Sequence, residues 1–211
     1  MTNDLLDEWQ PYLTARKSGI KKHWKALLNE RVASIDQLST DERASYLDRL
    51  CSAVFDDQQA IPIEHPVIWR HILTRWQERL AQNPEHEQTL LWLVKAMGFN
   101  GTYKILQVDP DDILKGILQR NPSQNEAQRM LLKSHLDSLD FALHELPHGL
   151  LIRADICRQL IAECEQLIQA NPDLAECKTR FNLDLNDYRS TLNEWLNSEQ
   201  YKEDDNGSGN L

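Results

Sequence analysis

Residues 117–136 read ILQRNPSQNEAQRMLLKSHL, two runs of helical apolar spacing that meet at Asn121-Pro122. The same join recurs at Asn83-Pro84 and Asn171-Pro172, with a close relative at Asp109-Pro110. Proline has no amide proton and its ring collides with the preceding turn, so it is poor inside a helix. At the first helical position both objections vanish. The Asn or Asp before it is pushed out of helical geometry and can cap the next exposed N–H groups. Each pair is therefore expected to end one helix and open the next within about two residues. Short connections of this kind make neighbouring helices antiparallel. Three residues before each junction stands an apolar residue, Leu80, Leu106, Leu118 or Ile168, which places a packing group in the outgoing helix's last turn.

Apolar spacing of three and four extends along the chain. Residues 3–15 carry Leu5, Leu6, Trp9, Tyr12 and Leu13, with Pro11 expected to bend the segment. Beyond Gly19, residues 20–33 carry Ile20, Trp24, Leu27, Leu28 and Val32. Ser39 and Glu42 form a capping-box pattern that opens a helix reaching Phe55. The connector AIPIEHP (60–66) leads into a stripe of Trp69, Ile72, Leu73, Trp76 and Leu80. A further helix takes Leu90 to Met97, and GFNGTY (98–103) reads as a loop. Helices then follow Asp109-Pro110 as far as Arg120, and Asn121-Pro122 as far as Leu143, with Pro147-His148-Gly149 as the stop. Residues 150–170 are apolar around much of their circumference, so this segment is expected to be a central helix flanked on more than one side. A last helix is expected over 172–196.

NPSQNEA (121–127) and NPDLAEC (171–177) resemble the junctions of tetratricopeptide-type repeats, where a second helix commonly ends near such a proline before the next repeat begins. The resemblance covers residues 66–196 and implies stacked antiparallel hairpins. Junction prolines fall 26, 12 and 50 residues apart, against a family period of about 34, and the stretch QRMLLKS after Pro122 lacks the family's aromatic-Leu-Gly pattern. The expectation is thus all-α, with about eight or nine helices, arranged as an irregular tetratricopeptide-like array or a helical bundle. The expected division is an N-terminal helical subdomain over 1–60, a repeat-like domain over 61–197 and a disordered acidic tail over 198–211.

Composition narrows function by exclusion. The chain holds 41% hydrophobic and 27% charged residues, with only 7 Gly and 8 Pro, which argues against a turn-rich β fold. No apolar run approaches the roughly 20 residues of a membrane span. Asp4, Asp7 and Glu8 stand where a secretory signal would want basic and apolar residues. Cys51, Cys157, Cys164 and Cys177 show no C-x-x-C spacing and read as small buried groups in a reducing cytoplasm. Net charge is −10: residues 1–35 hold six bases and four acids, residues 151–211 twelve acids and six bases. Such a surface disfavours nucleic acid and favours a basic partner.

Few residues suggest chemistry. HELPH (144–148) matches the H-E-x-x-H zinc pattern, which needs both His on one helical face; Pro147 interrupts that helix. Glu163 and Glu165 belong to a helix whose acids are expected to face solvent. His23, His65, His71, His86 and His135 form no ligand spacing and are expected at the surface or half-buried. The basic run RKSGIKKHWK (16–25) reads as a solvated face, and Trp69, Trp76 and Trp92 read as core. The loop 98–112 carries the candidate contact residues Phe99, Tyr103, Asp109, Asp111 and Asp112, aromatics rimmed by acids. The expected function is non-enzymatic protein binding, without metal or cofactor and without nucleic acid or membrane. Its sharper form is an acidic, immunity-type inhibitor of a basic toxin or effector. An adaptor or chaperone-like repeat protein is the alternative of the same kind, and an enzyme using His144, Glu145 and His148 with a metal is the alternative of another class.

Overall fold

The computed structural model describes residues 3–98, 108–174 and 185–198. These residues form nine α-helices, a π-helical turn and two short 3-10 turns, with no strand among them, so the fold is all-α. The chain divides into two compact units, Met1–Val108 and Asp109–Leu211. The boundary differs from the one expected near residue 60, because the helix after Pro66 shares its core with the helices before it.

In the first unit, α1 (Asn3–Lys17) and α2 (Lys21–Gln37) are joined at Gly19, whose φ of +76° is a conformation that side chains disfavour. The helix α3 (Thr40–Cys51) opens on the full Ser39–Glu42 capping box and widens into a π-helical turn, Ser52–Asp56. Pro66 opens α4 (Pro66–Gln82), and α5 (Glu87–Lys95) ends in the 3-10 turn Ala96–Gly98. Trp9, Leu50, Ile68, Ile72 and Trp76 fill one core. Trp76 lies edge-on to Trp69, with centroids 5.7 Å apart, and stacks on Trp92 at 6.4 Å. Buried indoles need acceptors. Trp9 Nε1 donates to Tyr46 Oη at 3.1 Å, and Trp92 Nε1 donates to the Asp56 carboxylate, which Lys95 also pairs at 2.8 Å.

The second unit holds α6 (Pro110–Arg120), α7 (Asn125–Leu143), α8 (Ala154–Ala170), the 3-10 turn Pro172–Leu174 and α9 (Leu185–Leu196). The helix α7 packs against α6, α8 and α9. The helix α8 is flanked by α7 and α9 but is shorter than the 150–170 expected. Its buried face is Cys157, Ile161 and Cys164, whereas Ile156 stays 41% exposed, so its apolar surface exceeds what its neighbours cover. Cys177, Phe181 and the tail 199–211 lie outside the described residues.

The Asn-Pro junctions differ from expectation in an instructive way. Asn83, Asn121 and Asn171 are extended residues at helix C-termini, with φ of −140°, −132° and −139°. In each case the amide three residues on donates to the Asn carbonyl, at 3.1, 3.1 and 3.0 Å. Proline sits second in this four-residue turn, where its fixed φ suits and its missing N–H costs nothing. The Asn side chain serves the turn as well: Oδ1 accepts from the Glu85 and Asp173 amides and from the Ser123 hydroxyl. The next helix waits for its own cap, His86 or Gln124. Asp109-Pro110 behaves as the direct cap expected, with Pro110 first in α6 and Asp109 accepting from the Asp111 amide at 2.9 Å, and Pro172 likewise opens the 3-10 turn Pro172–Leu174.

The two Asn-Pro turns of the second unit are also tied together. Gln128, 4% exposed, donates to the Pro122 carbonyl at 2.7 Å and accepts from Asn171 Nδ2 at 2.7 Å. Gln128→Leu removes the donor to the Pro122 carbonyl and leaves Asn171 Nδ2 with Asn125 Oδ1 alone, so it should lower unfolding free energy by about 2 kcal/mol in urea denaturation. An unchanged midpoint would show that the tie carries no stability.

Candidate functional site

His135 falls in helical phase with Leu131, Leu132, Leu136 and Leu139, so α7 turns it inward, and it is 1% exposed. Its Nε2 lies 2.8 Å from Glu163 Oε2 on α8, and its Nδ1 lies 3.4 Å from Asp111 Oδ2 on α6. Lys115 Nζ reaches the same Glu163 oxygen at 3.0 Å, and Gln159 Nε2 donates to Oε1 at 2.7 Å. Two carboxylates thus face a lysine and an imidazole at the meeting of three helices. Neither ring nitrogen makes an aligned hydrogen bond, so the carboxylates lie beside the ring and off its N–H directions.

Burial pushes the Asp111 carboxyl up, but His135, Ser134 and Lys115 outweigh it and hold it below its ordinary range. Glu163 follows the same balance: burial raises it, while Gln159, Lys115 and His135 bring it down further. The arrangement corrects two expectations. His135 is neither at the surface nor half-buried, and Glu163 faces the core. The linear sequence offers one signal for this, the position of His135 among leucines.

The chemistry open to the cluster is limited. Asp111 and Glu163 approach opposite edges of one ring, so they cannot converge on a single ion through it. Among the described residues no three His, Cys, Asp or Glu side chains are placed to hold a metal. A ring this enclosed touches no substrate, which makes the cluster a tie between helices. HELPH lies past the end of α7 at Leu143, in turns, with His144 and Glu145 exposed and 3.9 Å apart. His144 and His148 therefore do not share a helical face.

Of the residues singled out in the sequence, Asp109 and Asp112 are exposed at the start of α6, and Asp111 points into the His135 cluster. Phe99 and Tyr103 lie outside the described residues. An exposed apolar group flanked by acids occurs elsewhere. Phe141 is 58% exposed, and Leu151 is 44% exposed with its amide donating to the neighbouring Ala142 carbonyl at 3.1 Å. Asp137, one turn before Phe141, is 60% exposed and pairs with Lys133; Glu145 follows beyond the helix end, 55% exposed. Charge follows the same division. Residues 1–108 hold 14 acids and 13 bases, whereas residues 109–211 hold 19 acids and 10 bases.

No protein-family model, curated protein or solved structure matches the chain. No helix among the described residues is long and apolar enough to cross a membrane.

The His135 cluster generates two expectations. His135→Leu puts an apolar group between the two carboxylates and leaves Glu163 to Lys115 and Gln159. Because the carboxylates are about a quarter exposed, the loss should be roughly 2 kcal/mol, below the 3–5 typical of fully buried pairs. Lowered carboxyl values contribute stability that is complete above their unfolded values and is lost as pH falls through the folded ones. The acid limb of wild-type unfolding should therefore steepen below about pH 4, and Asp111→Asn with Glu163→Gln should flatten it. Equal acid limbs in urea titrations across pH would contradict the coupling.

Proposed function

We propose that this chain is a non-enzymatic binding protein whose second unit presents an acidic surface to a basic protein. The observation that carries the reading is the segregation of charge: nearly all the excess of acids belongs to residues 109–211. Such a field raises the encounter rate with a basic partner and disfavours acidic ones. Phe141 and Leu151 supply the exposed apolar contact such a surface needs at its centre, with Asp137 and Glu145 at the rim. The burial of His135 and the turn geometry of residues 144–148 favour binding over a metal-dependent reaction. In its narrower form the proposal is an inhibitor that neutralises a basic toxin or effector. The irregular tetratricopeptide-like array remains the architectural form of the same proposal.

The test is capture from the cells that make the protein, followed by measured binding of the purified partner. A basic protein should be retained at about 50 mM salt and released near 500 mM. Asp137→Lys with Glu145→Lys should slow association about tenfold at low salt, and Phe141→Ala should speed dissociation. A partner that is acidic, or association that ignores both salt and these charges, would overturn the proposal.

A further inference from the structure

The first unit carries the opposite feature at one end. Residues 9–29 contain five Lys or Arg and no acid. Arg16 and Lys17 close α1, Lys21, Lys22 and Lys25 open α2, and residues 16–23 are exposed without interruption. Among the described residues none of these five cations is ion-paired; Arg16 donates only to Tyr12 Oη, at 3.3 Å. At the apex of the hairpin, next to Gly19, stands Ile20, 60% exposed. Behind it Trp24 packs edge-on against Tyr12, centroids 6.3 Å apart, which gives the apex a firm base. In the cleft behind the hairpin, lined by Arg16 and Trp24, Glu64 is the acid present.

Lys21 and Lys22 also occupy the first turn of a helix that has no side-chain cap and no acid there. Cations at that end oppose the helix dipole, so the sequence concentrates positive charge where folding alone would disfavour it. An isoleucine projecting from a ring of cations suits a surface that is anionic outside and apolar a few ångströms below. Nucleic acid fits less well: four of the five cations are lysines, which act as point charges, and phosphate backbone offers nothing to an aliphatic apex.

We propose that the α1–α2 apex is a docking surface for an anionic lipid bilayer, with Ile20 entering the headgroup layer and Arg16, Lys17, Lys21, Lys22 and Lys25 facing lipid phosphates and carboxylates. Each such cation strengthens attachment to an anionic leaflet about fivefold. The net charge of −10 opposes closer approach of the rest of the molecule to an anionic surface, so attachment is reversible. This surface is independent of the acidic one, and variants in either leave the other intact.

Flotation of the full chain with vesicles tests it, using phosphatidylcholine alone and phosphatidylcholine with about 30% phosphatidylserine. Binding should need the anionic lipid and should fall at least tenfold between about 50 and 300 mM salt. Lys21→Glu with Lys22→Glu should reduce it at least tenfold. Ile20→Ser should reduce it several-fold, with circular dichroism unchanged and the thermal midpoint of these variants no lower than wild type, because the side chains are exposed and a serine cap and first-turn acids suit the start of α2. No binding to the anionic vesicles, equal binding to both vesicle types, or an Ile20→Ser variant that binds like wild type would overturn the assignment. Tighter binding to a single-stranded DNA oligonucleotide than to vesicles, insensitive to Ile20→Ser, would overturn it in favour of nucleic acid.

Discussion

A residue that precedes proline is pushed away from helical geometry, and where a helix ends at such a residue in the second unit this steric bias sets the turn that follows. Asn121 and Asn171 stop their helices in an extended conformation, and the turn that follows closes on the Asn carbonyl. At Asn121-Pro122 the chain doubles back so that α6 packs against α7, whereas α7 and α8 are joined through residues 144–153. Leu132, Leu136 and Leu139 of α7 meet Cys157, Ile161 and Cys164 of α8 in one core. Burial raises the Cys164 thiol to about 12, and it lifts Cys157 as well, so both remain neutral packing groups.

Apolar packing alone would leave the joints polar and unpaired. Gln128 resolves this at the turns and His135 at the meeting of α6, α7 and α8. A charged tie of this kind is a modest source of stability, but removing one member leaves its partners without a counterpart. Its structural value is positional. It fixes the start of α6, where Asp109 and Asp112 stay exposed, relative to α7, which carries Asp137 and Phe141. The acids are thereby displayed from a braced set of helices, which limits the ordering cost of binding.

Much of the fold could be read from local rules. The capping box at Ser39, the proline at the start of α4 and the leucine spacing of α7 each specify a helix through interactions within a few residues. The Trp69, Trp76 and Trp92 cluster follows from helical phase. The Asn-Pro pairs were legible as breaks but not as turns, because the side-chain oxygen accepts from the amide two residues on in both, at the turn residues Asn83 and Asn171 as at the cap Asp109. The His135 cluster was hidden for another reason. Its partners lie 24 and 28 residues away on different helices, and no local spacing encodes which faces meet. Asp111 likewise reads as one of three acids at a helix start until the packing of α6 on α7 turns it inward. The basic run 16–25 looked like an ordinary solvated face, and its lack of ion pairs and exposed Ile20 emerge only in three dimensions.

The central claim is that polar ties make the second unit's turns as firm as its helices. Native-state amide hydrogen exchange addresses it directly. The turn amides of Gln124 and Leu174, which donate to Asn121 and Asn171, should exchange with the same opening free energy as Leu136 and Leu139 in the middle of α7. Exchange of those two amides at the rate of an unstructured chain, with the centre of α7 still protected, would show the turns to be loose connections and contradict the claim.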